Sequence, residues 1–296
     1  MNHILQISKN TLIYKFIHIK VIQYIQYYMT SNKENEIILE DEQCDNYIVG
    51  GKLGDLIHTM YVIMVINSVK KKKANLYITD NTIYGGDKFA TSAETVYNEL
   101  KSIILQQPYI NNVYILDDSK PIPYSMNLNA WRCYQIVYTT DWLYFLTSIY
   151  NIPLLPKQWI TLTNQNNMFA DKILIHRSVI RNLPTFPWMD IVTKNKCIFI
   201  TCNLDEYNNF QYKEHVELYK CLDLTSLFNA INGSKFFIGN QSSPLAMAYS
   251  LFKPMLCELY PEAASFYKHL NKYNENAFWI ADDSSHLINI EKYINL

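Results

Sequence analysis

The chain has 296 residues, 49% of them hydrophobic, a composition typical of globular proteins and not of disordered ones. Its 26 basic and 27 acidic side chains give a formal net charge of -1, so no overall basic field indicates a nucleic acid partner. The six cysteines form no Cys-x-x-Cys pair, which argues against a structural zinc site. Without a recognisable secretory signal, they predict reduced thiols in a cytoplasmic protein.

Residues 12–29, LIYKFIHIKVIQYIQYYM, are the first apolar stretch of the chain. Lys15, His18 and Lys20 interrupt it, whereas a membrane span requires about 20 mostly apolar residues. No small-residue cleavage site of a signal peptide follows. We expect residues 1–44 to form an extension and linker whose contact with a membrane is at most peripheral.

Strands and helices alternate regularly from residue 45 onward. The stretch DNYIVGG (45–51) predicts a first strand, and the apolar stretch 53–73 predicts a long helix whose final lysines suit the helix dipole. A second strand (74–80), a helix with a Thr or Ser cap (91–108) and a third strand (112–118) follow. Because the strands are apolar on both faces, they indicate a parallel sheet that helices cover on both sides.

The polar stretch TNQNN (163–167) separates this half from a second alternating series. In that series, strands are predicted at 172–178, 197–201, 216–221, 235–240 and 254–260, and helices at 204–210, 223–234, 243–252 and 286–296. The chain is therefore predicted to be an α/β protein with two Rossmann-like domains, residues 45–168 and 169–296, whose parallel sheets face a central cleft. Ligands of such domains bind at the carboxyl ends of the strands.

The segment VGGKLGDLIHT carries the first candidate site. Gly51, Lys52 and Gly54 lie where the first strand gives way to the helix, so backbone amides there can approach a ligand. The glycine order matches neither the dinucleotide fingerprint Gly-x-Gly-x-x-Gly nor a phosphate loop that ends in Gly-Lys-Ser/Thr. Asp55 in the first helical turn has two interpretations. It either complements the helix dipole or acts as a general base at the mouth of the cleft.

The segment GNQSSP carries the second candidate site. Asn240 and Gln241 offer amide groups, Ser242 and Ser243 offer hydroxyls, and the following proline suits the first turn of a helix. The start of that helix adds backbone amides. Together these groups predict a pocket for a phosphate or diphosphate. The plainer interpretation is a capped turn between a strand and a helix.

Three charged residues near strand ends complete the set of candidates. Arg177 and Arg181, in HRSVIRN, follow a buried strand, and arginine suits bidentate recognition of phosphate. Their alternative interpretation is that of loop arginines on the surface. Glu258 ends the last strand of the second series, where a carboxylate can accept ribose hydroxyls or simply lie on the rim.

Two of these segments resemble one enzyme family. The stretch GGKLGDLIHTMYVI (50–63) resembles the N-terminal motif of the ADP-heptose:lipopolysaccharide heptosyltransferases, glycosyltransferase family 9, and FFIGNQSSPLAMAYSLFKP (236–254) is similar to their C-terminal signature. The middle of the chain, 110–170, shows no such similarity. The resemblance implies a GT-B fold that binds the acceptor on the first domain and the nucleotide-sugar on the second, without a metal. It further implies that Asp55 is the base and that the 240–243 turn holds the donor diphosphate.

The C-terminal segment departs from the family pattern at three positions. Gln241 stands where the family has aspartate, Ser243 where it has glycine, and Ala246 where it has histidine. Loss of a carboxylate beside a diphosphate removes like-charge repulsion, whereas loss of the histidine removes one contact to the donor. The turn is more similar to the GNQS version found in divergent glycosyltransferase-like proteins.

The sequence thus predicts a metal-independent glycosyltransferase that uses a nucleotide-sugar as substrate and needs no cofactor. Asp55 would deprotonate an acceptor hydroxyl on a carbohydrate or glycoconjugate, and the leaving nucleoside diphosphate would be stabilised electrostatically. The alternative is a non-catalytic nucleotide- or carbohydrate-binding protein with a decayed site. A Rossmann-type epimerase would require a glycine fingerprint and a Tyr-x-x-x-Lys pair, which we do not find.

Overall fold

The computed structural model describes residues 44–120, 125–134, 141–163, 167–260, 267 and 270–280, which belong to one compact unit, Asp41–Leu296. The strands in these ranges are β1 Cys44–Gly50, β2 Lys73–Thr79, β3 Ile110–Ile115, β4 Ser125–Asn127, β5 Ile173–His176, β6 Cys197–Thr201, β7 Glu217–Lys220, β8 Phe236–Asn240, β9 Met255–Glu258 and β10 Ala277–Ile280. The α-helices are α1 Leu53–Lys70, α2 Ala93–Leu105, α3 Trp142–Tyr150, α4 Trp188–Lys194, α5 Leu204–Asn208, α6 Leu224–Gly233 and α7 Ser243–Ser250. The apolar stretch 12–29 and the predicted closing helix 286–296 lie outside the described residues.

Helix α1 is buried along most of its length. Every residue from Leu56 to Ile66 is buried, as expected for a helix that is apolar on all sides. The helix ends earlier than the predicted residue 73, because Lys71 adopts a left-handed conformation (φ 62°) and donates its backbone N–H to the carbonyl of Asn67. Within the described residues, no helix is long and apolar enough to cross a membrane.

Both sheets are parallel, as predicted. The first has the strand order β3-β2-β1-β4, and the second has the order β10-β9-β8-β5-β6-β7. The second order is that of a complete doubly wound sheet, in which the chain reverses its direction of winding between β5 and β8. In the first sheet the corresponding reversal lies between β1 and β4. Such reversals open a crevice at the carboxyl ends of the two central strands.

The two sheets share one apolar core. A single cluster of buried side chains includes Val49 and Ile57 from the first half and Leu174, Phe237 and Met247 from the second. The strands of the first sheet end at Asn127 and those of the second begin at Ile173, so the predicted domain boundary at 168/169 falls between them. The boundary itself stays a prediction.

A buried polar cluster lies within this shared core. Tyr249 of α7 donates its hydroxyl to Oδ2 of Asp141 at 2.7 Å, and the hydroxyl of Tyr267 is 2.7 Å from Nε2 of His58. Asp141 caps α3 by accepting from the amide of Leu143 at 2.7 Å, so it joins the first half of the chain to the second. Burial raises the pKa of the Asp141 carboxyl to about 7, although these hydrogen bonds lower it.

We expect Asp141→Asn to flatten the pH dependence of stability between about pH 4 and pH 7. The folded protein retains the Asp141 proton to a higher pH than the unfolded chain, so its stabilising contribution is complete below the unfolded pKa and is lost as the pH rises through about 7. The loss amounts to roughly 4 kcal/mol, at about 1.4 kcal/mol for each pKa unit. Asparagine keeps the cap and can pair with Tyr249, without a charge.

The measurement is the free energy of unfolding in urea across this pH range. Asp190→Asn, at an exposed position in the first turn of α4, serves as the control and should keep the wild-type slope. An Asp141→Asn protein with the wild-type slope would contradict the assignment of this pH dependence to Asp141.

Candidate functional site

The first candidate site lies at the carboxyl ends of β1 and β4. The backbone amide of Gly50, which ends β1, donates to Oδ1 of Asn129 at 3.1 Å, so the segment after β4 is fixed against the end of β1. Asp55 in the first turn of α1 accepts a hydrogen bond from Nη2 of Arg132, whose Nη1 donates to Asp87 at 3.0 Å. The predicted Asp55 therefore lies in a carboxylate–guanidinium–carboxylate chain at this crevice.

Gly51 makes room for that chain. It has a φ of +108°, in the region that favours glycine, and a Cβ atom there would lie 2.8 Å from Nη2 of Arg132. The neighbouring Lys52 is exposed, and its Nζ is 3.8 Å from Asp87. A side chain at position 51 would force Arg132 away from Asp55.

The ionisation of Asp55 depends on two opposing effects. Its side chain is 14% exposed, and burial raises the pKa of the carboxyl, whereas Arg132 and Lys52 lower it. Asp87 adds a smaller effect that raises it. A carboxylate with a raised pKa is a stronger base, and the bond to Arg132 fixes its orientation. A general base needs both properties.

Arg132 is a site residue that sequence reasoning missed. It belongs to a short 3-10 turn, Ala130–Cys133, in the middle of the chain, where no motif is recognisable. Its guanidinium also lies 4.6 Å from the centroid of the Trp131 ring. Only the pairing of β4 with β1 brings it to Asp55.

The second candidate site lies at the carboxyl ends of β5 and β8. Asn240 and Gln241 were predicted to offer amide groups to a ligand, but both are buried and bonded within the protein. The Asn240 amide donates to the carbonyl of Ile180 at 2.7 Å and accepts from the amide of Ser178 at 3.0 Å. Gln241 Oε1 accepts from the amide of Tyr260 at 3.0 Å. We therefore assign these two side chains to holding the loops that surround the site.

Ser242 and Ser243 begin α7 and are both half-buried. The hydroxyl of Ser242 does not cap its helix; it lies 3.3 Å from Nδ1 of His176 and donates to the carbonyl of Asn240 at 3.1 Å. Pro244 occupies the first turn, as predicted. The first N–H groups of α7 have no acceptor within the helix, so the helix start offers donors, and the two hydroxyls lie beside it.

His176 and Glu206 form a polar pair behind Ser242 that sequence reasoning also missed. His176 ends β5 and is buried, and its Nε2 is 2.9 Å from Oε2 of Glu206 on α5. The same carboxylate oxygen accepts from the hydroxyl of Thr201 at 2.6 Å. Burial raises the pKa of Glu206, but the contacts with His176 and Thr201 outweigh it and leave the pKa below its usual value.

Arg181 is the cation nearest to the 240–243 turn among the predicted residues. Its Nη1 donates to the carbonyl of Gln241 at 2.9 Å, and its backbone has a φ of 60°. A left-handed conformation costs a non-glycine residue of order 1–3 kcal/mol, and such residues cluster at ligand sites. The residue is half-buried.

The structure gives Arg177 and Glu258 a different role from the predicted one. Glu258 has no exposed surface, and it accepts from Arg177 Nη2 at 2.7 Å, the Leu183 amide at 2.7 Å and the Trp188 indole at 3.0 Å. Neither oxygen is open to a ribose, and the guanidinium is committed to the carboxylate. The pair therefore anchors the loop between β5 and α4.

The two candidate sites adjoin each other. A Cβ atom at Gly54 would lie 3.8 Å from the Cβ of Ala246 and 3.9 Å from the Cα of Ser243, so the start of α1 lies next to the start of α7. The described residues contain no group of three or more His, Cys, Asp or Glu side chains that could hold a metal ion.

Comparisons with known proteins find similarity in structure alone. No protein-family model matches the chain, and no curated protein matches it. The E. coli heptosyltransferase WaaC with ADP superposes with a TM-score of 0.56 at 9% identity, over 85% of this chain and 99% of that chain. A glycosyl transferase family 9 structure from Veillonella parvula DSM 2008 gives 0.52 at 12% identity, over 86% and 90%. The predicted resemblance is thus confirmed for the fold: the chain has the α/β fold of GT-B glycosyltransferases such as these.

Proposed function

We propose that the protein is a glycosyltransferase that moves a sugar from a nucleotide-sugar to an acceptor hydroxyl without a metal. The observation that supports the proposal is that the starts of α1 and α7 lie next to each other, so that Asp55 and Ser242 belong to neighbouring helix ends. A base for the acceptor and a set of donors for an anionic leaving group are the two elements that a single-displacement transfer needs. The fold shared with heptosyltransferases supports this proposal but leaves the sugar open.

In this mechanism, Asp55 takes the proton from the acceptor hydroxyl while that oxygen attacks the anomeric carbon. The bond from this carbon to the diphosphate breaks, and negative charge accumulates on the leaving group. The first amides of α7, the hydroxyls of Ser242 and Ser243, and the Arg181 guanidinium stabilise this charge. His176, held by Glu206, keeps the Ser242 hydroxyl beside the turn. Arg132 orients Asp55.

The alternative function is non-catalytic binding of a nucleotide or carbohydrate by a decayed site. It is favoured by the pairing of Asp55 with Arg132, which occupies one carboxylate oxygen, and by Ala246 at the position where the related family has histidine. Both functions predict binding of a nucleotide at the 240–243 turn. They differ in whether sugar is transferred.

We expect Ser242→Ala combined with Ser243→Ala to weaken the binding of nucleoside diphosphate by about 10- to 100-fold. Each hydroxyl that donates to a charged oxygen contributes roughly 1.5–3 kcal/mol, part of which water replaces. A thermal-shift panel of ADP, GDP, UDP, CMP and dTDP first identifies the preferred nucleotide, because a ligand of the folded state raises the melting temperature. Calorimetric titration of that nucleotide then compares the variant with the wild type.

Ser148→Ala is the matched control. Its hydroxyl is exposed and bonds to the carbonyl of Tyr144 within α3, so its removal should leave the affinity unchanged. Equal affinities for the double variant and the wild type would remove the 240–243 turn from the proposed site. If no nucleotide shifts the melting temperature, the donor assignment fails.

A further inference from the structure

Cys202 and Cys221 lie side by side at the ends of two neighbouring strands. Each follows the last registered pair of β6 and β7, Thr201 and Lys220, and the ladder continues with the Cys221 amide donating to the Thr201 carbonyl at 2.8 Å. Adjacent strands lie about 4.7–4.9 Å apart. This spacing falls within the roughly 4.4–6.8 Å between Cα atoms that disulfides span.

Both side chains point to the same region of the molecule. Cys221 is buried within the core shared by the two sheets, and Cys202 is half-buried and packs against that core. Sγ of Cys202 donates to the carbonyl of Asp223 at 3.4 Å, just beyond Cys221 in the chain. The backbone register and the shared position of the two side chains at this core therefore favour bond formation between them.

The two thiols differ in reactivity. The neighbouring Cys221 thiol lowers the pKa of the Cys202 thiol, against burial and the nearby carboxylates of Glu99, Asp223 and Glu206, which raise it. The Cys202 thiol, together with burial, raises the pKa of Cys221. The thiolate is the reacting species in disulfide exchange, so the more accessible Cys202 is suited to react first and Cys221 to resolve the product.

We propose that Cys202 and Cys221 are an oxidisable dithiol that closes to an intramolecular disulfide, with a small-molecule disulfide such as oxidised glutathione as the oxidant. The Cys202 thiolate attacks one sulfur of that disulfide, and one glutathione thiolate leaves. The Cys221 thiolate then attacks Sγ of Cys202 in the mixed disulfide, and the second glutathione leaves. Two protein thiols are oxidised, one disulfide is reduced to two thiols, and the two protein protons pass to the leaving thiolates.

The test incubates the folded full chain with oxidised glutathione, then denatures it and labels the remaining thiols with a maleimide. The reduced protein has six cysteines to label, and closure of the disulfide leaves four. Peptide mapping should find Cys202 joined to Cys221. Cys133→Ser, which removes an exposed thiol, should leave this cross-link unchanged.

Single variants separate the two steps. In Cys221→Ser, glutathione should stay attached to Cys202, because no thiol is present to resolve the mixed disulfide. In Cys202→Ser, the buried Cys221 should stay reduced. Six labelled thiols in the treated wild type, or a cross-link between other cysteines, would overturn the proposal. The assay needs no sugar transfer, so its result is independent of the proposed function.

Discussion

Replacing Asp55 with asparagine should lower the turnover number for sugar transfer by about 10²- to 10⁴-fold, which is the usual contribution of a general base. The affinity for nucleoside diphosphate should stay within about twofold, because the base acts on the acceptor and not on the donor. Asparagine has nearly the same shape and can still accept a hydrogen bond from Arg132, so the loss would report on proton transfer. Steady-state kinetics with the preferred donor, together with calorimetric titration, measure both quantities.

The pH profile gives a second measure of the same assignment. Burial raises the pKa of Asp55, and the base must be ionised to accept a proton, so the turnover number should increase as the pH rises through that pKa. Asp87→Asn leaves Asp55 in place but removes a carboxylate that raises the pKa of Asp55, so the rise should remain and move to lower pH. Wild-type turnover in Asp55→Asn would refute the base assignment. A parallel loss of nucleotide binding would instead assign Asp55 a structural role.

Replacing Arg177 with alanine should lower the free energy of unfolding by about 3–5 kcal/mol, the usual result when one partner of a buried ion pair is removed. The variant leaves the fully buried Glu258 carboxylate without its counter-charge, and only the Leu183 amide and the Trp188 indole still donate to it. Protonation relieves that cost, so the loss should be larger at pH 8 than at pH 5. Urea unfolding at the two pH values measures it.

Two further variants make the interpretation of this loss specific. Arg177→Met combined with Glu258→Gln removes both charges and should recover much of the lost stability. Lys172→Ala breaks an exposed pair with Asp171 and should change the stability by less than about 1 kcal/mol. If Arg177→Ala were as mild as Lys172→Ala at both pH values, the anchoring role of Glu258 would be wrong.

The parts of the site that the sequence predicts are those formed by contiguous residues. The end of β1 and the start of α1 can be recognised because the glycines, the strand and the helix are adjacent in the chain, and Gly51 has the left-handed conformation that its residue type permits. The same holds for β8 and α7, where Ser242 follows the strand directly. The local sequence pattern is sufficient to predict a site segment that consists of a single turn between a strand and a helix.

The parts that sequence reasoning missed depend on contacts between distant residues. Arg132 reaches Asp55 only because β4, a strand of three residues, pairs with β1. The sequence predicts either a ribose contact or a rim position for Glu258, whereas in the structure β10 pairs along β9 and Glu258 is buried. Strands as short as β4 and β10 carry little periodicity, so neither the strand nor its neighbours could be predicted.

The close approach at Gly54 has a mechanical consequence. A Cβ atom at Gly54 would lie at ordinary van der Waals distance from Ala246 and Ser243, so the two helix starts approach to within about one methyl group of each other, beside Asp55 and Ser242. If one sheet rotates relative to the other about an axis through this point, atoms near the axis move least. The separation between Asp55 and the start of α7 would then change little, while the outer edges of the crevice move apart.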